Sequence, residues 1–198
     1  YESSVHTNTS GVFKGFYKNK AGVGQWGGEG RNAIDRICKD INIELRPIFS
    51  SHYCETKILQ QDATSMSIIN CDVAYLDPPY NQHPYGSNYF MLNLIANGSW
   101  PQEMSKVSGI PKEWNKSDFN KKHEALAAMR KTLGNIKASD RIVVSYNNEG
   151  FISYEQMFEL LSTYGEVSIL SEEYPTFRGC RNLSSRDIHT TEYLFIVR

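Results

Sequence analysis

The chain has 198 residues, 40% of them hydrophobic, and its 21 basic and 22 acidic side chains leave a net charge of −1. That length and apolar content suffice for one domain-sized core, while the balanced charge excludes a global pull toward nucleic acid, so any such binding must rest on local charge. Cys38, Cys54, Cys71 and Cys180 lack the short spacing of a zinc site, the histidines are scattered, and no signal peptide or membrane-length apolar run is present; a reduced, cytoplasmic protein with no metal and no membrane partner is expected.

Residues 21–30 are rich in glycine, but a cofactor loop should follow a buried apolar strand. This one follows Tyr17-Lys18-Asn19-Lys20 and reads as a surface or DNA-facing loop. Residues 32–41 carry Ala33, Ile34, Ile37, Cys38 and Ile41 on one helical face. Short strands are predicted at 56–59 and 72–76. Residues 98–115, with Trp100-Pro101, Gly109-Ile110-Pro111 and Trp114, have no clear period and read as an ordered excursion, packing rather than touching DNA. Ser117 is a candidate N-cap for a helix over 118–133, in which Phe119, Leu126, Met129 and Leu133 recur at helical spacing.

Residues 141–146 read as a buried strand, and Tyr154, Met157, Phe158, Leu161 and Tyr164 mark a helix ended by Gly165. Strands at 167–170 and 192–197 follow. The stretch between them contains Pro175 and Gly179 without helical periodicity, which predicts an antiparallel hairpin with a long loop. Strands alternating with helices predict an α/β fold: a mostly parallel sheet covered on both faces, with that antiparallel hairpin at its carboxyl-terminal end.

The most informative stretch is Leu76-Asp77-Pro78-Pro79-Tyr80, behind the apolar run Val73-Ala74-Tyr75. Proline restricts the residue before it to extended conformations, so Asp77 is held extended and the Pro78 carbonyl points in a fixed direction. Two acceptors then face one space, and the Tyr80 ring can stack on a flat base. A carboxylate and a carbonyl that each accept a hydrogen from adenine's exocyclic amine favour a pyramidal, more nucleophilic nitrogen. Such positioning supplies much of the catalysis when a reactive cofactor carries the group to be transferred. As a bare pattern, Asp-Pro-Pro is also a common way to end a strand.

Asp77-Pro78-Pro79-Tyr80, with Asn81-Gln82 and Tyr85-Gly86-Ser87-Asn88-Tyr89 after it, resembles the Dam-like alpha group of adenine-specific DNA methyltransferases, especially those paired with restriction endonucleases. The resemblance extends to Gly11 through Lys20, similar to the return from the target-recognition region, and to Gln61-Asp62-Ala63, similar to the acidic residue near the adenosine part of S-adenosylmethionine. It continues through Val143-Val144-Ser145-Tyr146-Asn147-Asn148 and the late basic loop Arg178-Gly179-Cys180-Arg181-Asn182-Leu183. It implies a partial Rossmann-like S-adenosylmethionine-dependent methyltransferase fold, with residues 1–50 ending the recognition region and 51–198 forming the later catalytic strands, including an excursion at 98–116. The family's Phe-x-Gly-x-Gly cofactor loop is absent from this sequence, and the chain starts without methionine; a fragment or a divided enzyme is expected.

The expectation that follows assigns catalysis to Asp77, Pro78, Pro79 and Tyr80, and contact with S-adenosylmethionine to Asp62, Ala63 and Asp77. DNA contacts are expected from Lys14, Tyr17, Lys18, Asn88, Tyr89, Arg178, Arg181 and Asn182, for which solvated surface charge is the alternative reading of each basic residue. Asp62 and Asp77 are both expected outside the carboxyl ends of the strands, where ligands of open sheets sit. The partners are double-stranded DNA and either the missing amino-terminal segment or a cognate restriction endonuclease. An RNA or protein-amide methyltransferase could use a similar corner, and a non-catalytic DNA-binding fragment would keep it.

Overall fold

The computed structural model describes residues 51–82, 84–105, 110–175 and 189–198. The glycine-rich loop at 21–30 and the helix expected at 32–41 lie outside them. The chain divides into two compact units, residues 1–60 with 85–115, and residues 61–84 with 116–198.

In the first unit, residues 51–60 form no regular structure, which corrects the strand expected at 56–59. A four-residue segment becomes a strand only beside a partner that satisfies its backbone groups; none pairs with it among the described residues, and Ile58 is 89% exposed. Two short helices follow, α1 (Tyr85–Asn88) and α2 (Phe90–Asn97). The second ends at Gly98, whose φ of 62° is left-handed and whose N–H returns to the Leu94 carbonyl at 2.9 Å, a stop that glycine takes without a Cβ penalty. The excursion closes on itself through an antiparallel bridge between Met104 and Pro111 and an exposed Lys112–Glu103 ion pair of 2.7 Å. Trp100 is 79% exposed, so packing does not account for that residue.

The second unit is built on four strands, β1 (Ile69–Leu76), β2 (Ile136–Asn147), β3 (Val167–Pro175) and β4 (His189–Val197), in the order β1-β2-β4-β3. β1 and β2 run parallel, with Leu76 opposite Val144; β4 is antiparallel to both β2 and β3, with Phe195 opposite Val144 and Ile169. The hairpin at the carboxyl-terminal end is therefore present. The mostly parallel sheet is not: one of the three strand pairings among the described residues is parallel. Because β4 slots between β2 and β3, the hairpin converts the growing sheet from parallel to antiparallel within one strand.

Helices α3 (Ala125–Gly134) and α4 (Tyr154–Ser162) cover one sheet face. Ala128, Met129 and Leu133 from α3 and Met157, Leu160 and Leu161 from α4 pack with Ala74, Ile142, Val144, Tyr146, Phe195 and Val197. Each large apolar side chain buried there contributes about 1.5–3 kcal/mol. On the opposite face, Val73 is 49%, Tyr75 61% and Leu170 61% exposed, so coverage of both faces is not found within this unit's described residues.

The helix expected over 118–133 is divided: a 3₁₀ turn (Asp118–Asn120) ends at Lys121, whose backbone is extended, and α3 begins four residues later. Ser117 caps the turn, its Oγ accepting from the Phe119 N–H at 3.3 Å. A capping box starts α4: Ser153 Oγ accepts from Gln156 N–H at 3.2 Å while Gln156 Oε1 accepts from Ser153 N–H at 3.0 Å. That helix stops at Ser162, short of the expected Gly165. Among the described residues no helix is long and apolar enough to cross a membrane.

Candidate active site at the carboxyl end of β1

β1 delivers Asp77 one residue beyond its last paired position, exposed, with Pro78, Pro79 and Tyr80 half-buried behind it. Three contacts fix the corner. The Tyr80 carbonyl accepts from Phe151 N–H at 2.9 Å. The Asn81 carbonyl accepts from Asn120 Nδ2 at 2.7 Å. The Tyr80 ring meets Tyr146 edge-on, with centroids 6.3 Å apart and planes at 79°. All three hold backbone or ring; among the described residues none binds the Asp77 carboxylate.

β2 brings a second polar group to the same edge. The Asn147 side chain is 5% exposed and its Oδ1 accepts from Glu149 N–H at 3.1 Å. Asn148 Oδ1 accepts from Thr190 Oγ1 at 2.8 Å and from Thr191 N–H at 3.1 Å, tying the strand end to the start of β4. Ser145 Oγ and Glu192 Oε1 lie 3.0 Å apart. The Tyr146 hydroxyl accepts from Ile152 N–H at 3.3 Å. Burial pushes that phenol above its usual range, against the opposing pull of the Ile152 and Phe151 N–H groups, so it stays neutral at any working pH.

Asp62 stands elsewhere. Its Oδ1 accepts from both Thr64 N–H and Thr64 Oγ1 at 2.8 Å. Those bonds, the backbone one first, hold the carboxyl below its ordinary value of 3.8, with Lys131 adding a smaller pull. The Ala63 carbonyl accepts from Asn135 Nδ2 at 3.3 Å, and the Asn135 carbonyl accepts from Ile69 N–H at 2.8 Å. Asn135 lies between α3 and the first residue of β2. The Asp62–Ala63 turn is therefore at the amino ends of β1 and β2, about 26 Å of strand away from Asp77 at 3.3 Å per residue. This corrects the expectation that both aspartates lie outside the carboxyl ends. The tight turn that Asp62 makes with Thr64 keeps the chain beside Asn135 instead of carrying it across the sheet.

Of the expected DNA contacts, Lys14, Tyr17, Lys18, Arg178, Arg181 and Asn182 lie outside the described residues. Asn88 closes α1 and Tyr89 precedes α2, its ring stacked on Tyr85 with centroids 5.6 Å apart and planes at 27°. The sequence reading missed Asn120, Phe151 and Tyr146. Asn120 stands 39 positions from its partner, and no local pattern joins the two; Tyr146 was visible in a buried strand and in the family-like stretch 143–148, with nothing local to tie it to Tyr80.

An exposed acceptor, paired prolines and a braced aromatic ring thus stand together at the carboxyl end of a parallel strand. The model of the D12 class N6 adenine-specific DNA methyltransferases matches residues 17–160, and the chain belongs to this family. The match is to the class and does not single out the Dam-like alpha group.

The chain is 38% identical over 138 residues, 69% of its own length and 40% of the relative's, to the type II methyltransferase M.CviAII of Paramecium bursaria Chlorella virus 1. It is 31% identical over 200 residues, 97% of its length and 27% of the relative's, to the modification methylase StsI of Streptococcus sanguinis. It is also 31% identical, over 71% of its length and 42% of the relative's, to the type II methyltransferase M.NlaIII of Neisseria lactamica. The chain thus spans less than half the length of these relatives.

Proposed function

We propose that this chain holds the target adenine of a restriction-modification DNA methyltransferase, which transfers a methyl group from S-adenosylmethionine to the exocyclic amine of a base rotated out of the duplex. One observation carries the reading. The Asp77 carboxylate stands exposed at the end of β1, ahead of two prolines, in a corner whose backbone is tied from behind by Phe151 and Asn120.

Rotating the base out of the stack costs a few kcal/mol. The extruded ring stacks on Tyr80, and Asp77 and the Pro78 carbonyl each accept one amine hydrogen. This raises nitrogen's nucleophilicity and aims its lone pair; nothing covalent is asked of the enzyme. Asn88 and Tyr89, together with Lys14, Tyr17, Lys18, Arg178, Arg181 and Asn182, are the residues we assign to DNA contact.

S-adenosylmethionine supplies an electrophilic methyl group when bound. Asp62 and Ala63, which the family resemblance assigns to it, stand at the opposite edge of the strands from Asp77, with the Asp62 carboxylate engaged by Thr64. That separation favours a second reading, in which the chain binds adenine but depends on another segment to hold the cofactor.

The experiment is methylation of unmethylated plasmid DNA with labelled S-adenosylmethionine, nucleoside mass spectrometry identifying the product, by the chain alone and mixed with the amino-terminal part of a relative. N6-methyladenine formed by the chain alone supports the first reading, formation only in the mixture supports the second, and methylation of RNA or protein in preference to DNA would overturn both.

A further inference from the structure

We infer that Asn120 and Tyr146 are positioning residues of the adenine corner, and this rests on the proposed function. Neither reaches a reacting atom; each acts through the segment that does. Asn120 sits in the 3₁₀ turn, anchored by its buried neighbour Phe119, and reaches across 39 positions to hold the Asn81 carbonyl at 2.7 Å. Tyr146 is 2% exposed in the central strand. Its ring edge sets the attitude of Tyr80, while its hydroxyl receives Ile152 N–H, one residue beyond the Phe151 N–H that binds the Tyr80 carbonyl.

Tyr146 thereby couples the ring and the backbone of Tyr80 to a single loop. Gly150 completes the device: a Cβ there would overlap the Tyr146 ring, 2.7 Å from Cζ and 2.9 Å from the hydroxyl oxygen. The loop can close on Tyr146 only because that side chain is missing. The Asp77–Asn81 corner is thus gripped at two successive carbonyls and one ring from two separate elements. That is the support required when small displacements of a bound base decide whether its amine is in line.

The test is single-turnover methylation, with protein in excess over unmethylated plasmid DNA, using labelled S-adenosylmethionine and the protein preparation that is active in the wild type. Asn120→Ala and Tyr146→Leu are expected to lower the rate constant about 10- to 100-fold, with the amplitude retained and the KM for S-adenosylmethionine within about twofold of wild type. Tyr146→Phe, which keeps the ring, should retain more activity than Tyr146→Leu. Ser153→Ala, which removes the cap of α4, provides the structural control: it should lower stability and leave the rate constant unchanged.

A purely structural role for Asn120 or Tyr146 would instead lower the amplitude at an unchanged rate constant. Rate constants within twofold of wild type in both variants would overturn the positioning role while leaving the proposed function intact. If Tyr146→Leu fails to fold, Asn120→Ala on the half-buried turn decides the matter alone. A wild-type protein that methylates no DNA under any condition sinks the proposed function and the positioning role together.

Discussion

Two aspartates bracket β1, and the protein treats them in opposite ways. Asp62, before the strand, spends its carboxylate on its own turn, accepting two hydrogen bonds from Thr64. Asp77, after the strand, has its surrounding backbone tied down by Phe151 and Asn120 while its carboxylate is engaged by no described residue. A side chain satisfied within its own loop shapes the chain; one held in a braced loop and left unsatisfied is available to a ligand. Burial does not distinguish them, since both are exposed.

The sharpest way to break this contrast is to remove both carboxylates in turn. Asp77→Ala should reduce the rate of methylation by about 100-fold or more, the scale of a lost positioning group, while thermal unfolding moves little, because an exposed side chain without partners contributes within about 0.5 kcal/mol. Full methylation by a folded Asp77→Ala protein would end the assignment.

Gly150→Ala tests the bracing without touching an acceptor. The added methyl must push on Tyr146, and overpacking of this kind costs about 1–3 kcal/mol, so chemical denaturation should record a loss in that range together with slower methyl transfer. A stability equal to wild type would mean that the loop gives way freely and braces nothing.

Asp62→Ala should do less than either. It removes hydrogen bonds of an exposed turn, worth about 0.5 kcal/mol once solvent competes, and should leave S-adenosylmethionine affinity within about twofold by calorimetry. A tenfold weakening would restore the cofactor role that the family resemblance assigns and would make the contrast between the aspartates one of ligand rather than of use.

The smallest effect expected is one of pH. Folding holds Asp62 ionised below its ordinary 3.8, so its increment of stability is fully present above about pH 4 and is lost as the pH falls through the lowered native value. Asp62→Asn should be slightly less stable than wild type near neutrality, where that increment is present, and the two proteins should converge as the pH falls through the lowered native value. A difference between the two proteins that does not shrink as the pH falls would show that the Asn side chain perturbs the turn itself.

Much of the second unit could be read along the chain because its signals are local. The run Val73-Ala74-Tyr75-Leu76 announces β1, the spacing of Tyr154, Met157, Phe158 and Leu161 announces α4, and the lack of helical period before residue 192 announces the β3–β4 hairpin. The division of the 118–133 helix was hidden, because Phe119 falls on the same apolar period as Met129 and Leu133 yet is buried from a 3₁₀ turn.

The family was equally legible, from Asp77-Pro78-Pro79-Tyr80 and its neighbours. What sequence order could not carry is anything requiring two distant segments to meet. Only the packed sheet brings Asn120 to Asn81, Phe151 to Tyr80 and Tyr146 against its ring. Only the turn against Asn135 sends Asp62 to the far edge from Asp77. Dihedral preferences and periodicity act over a few residues and are written in order along the chain. Hydrogen bonds between remote carbonyls and amides depend on where the strands end in space.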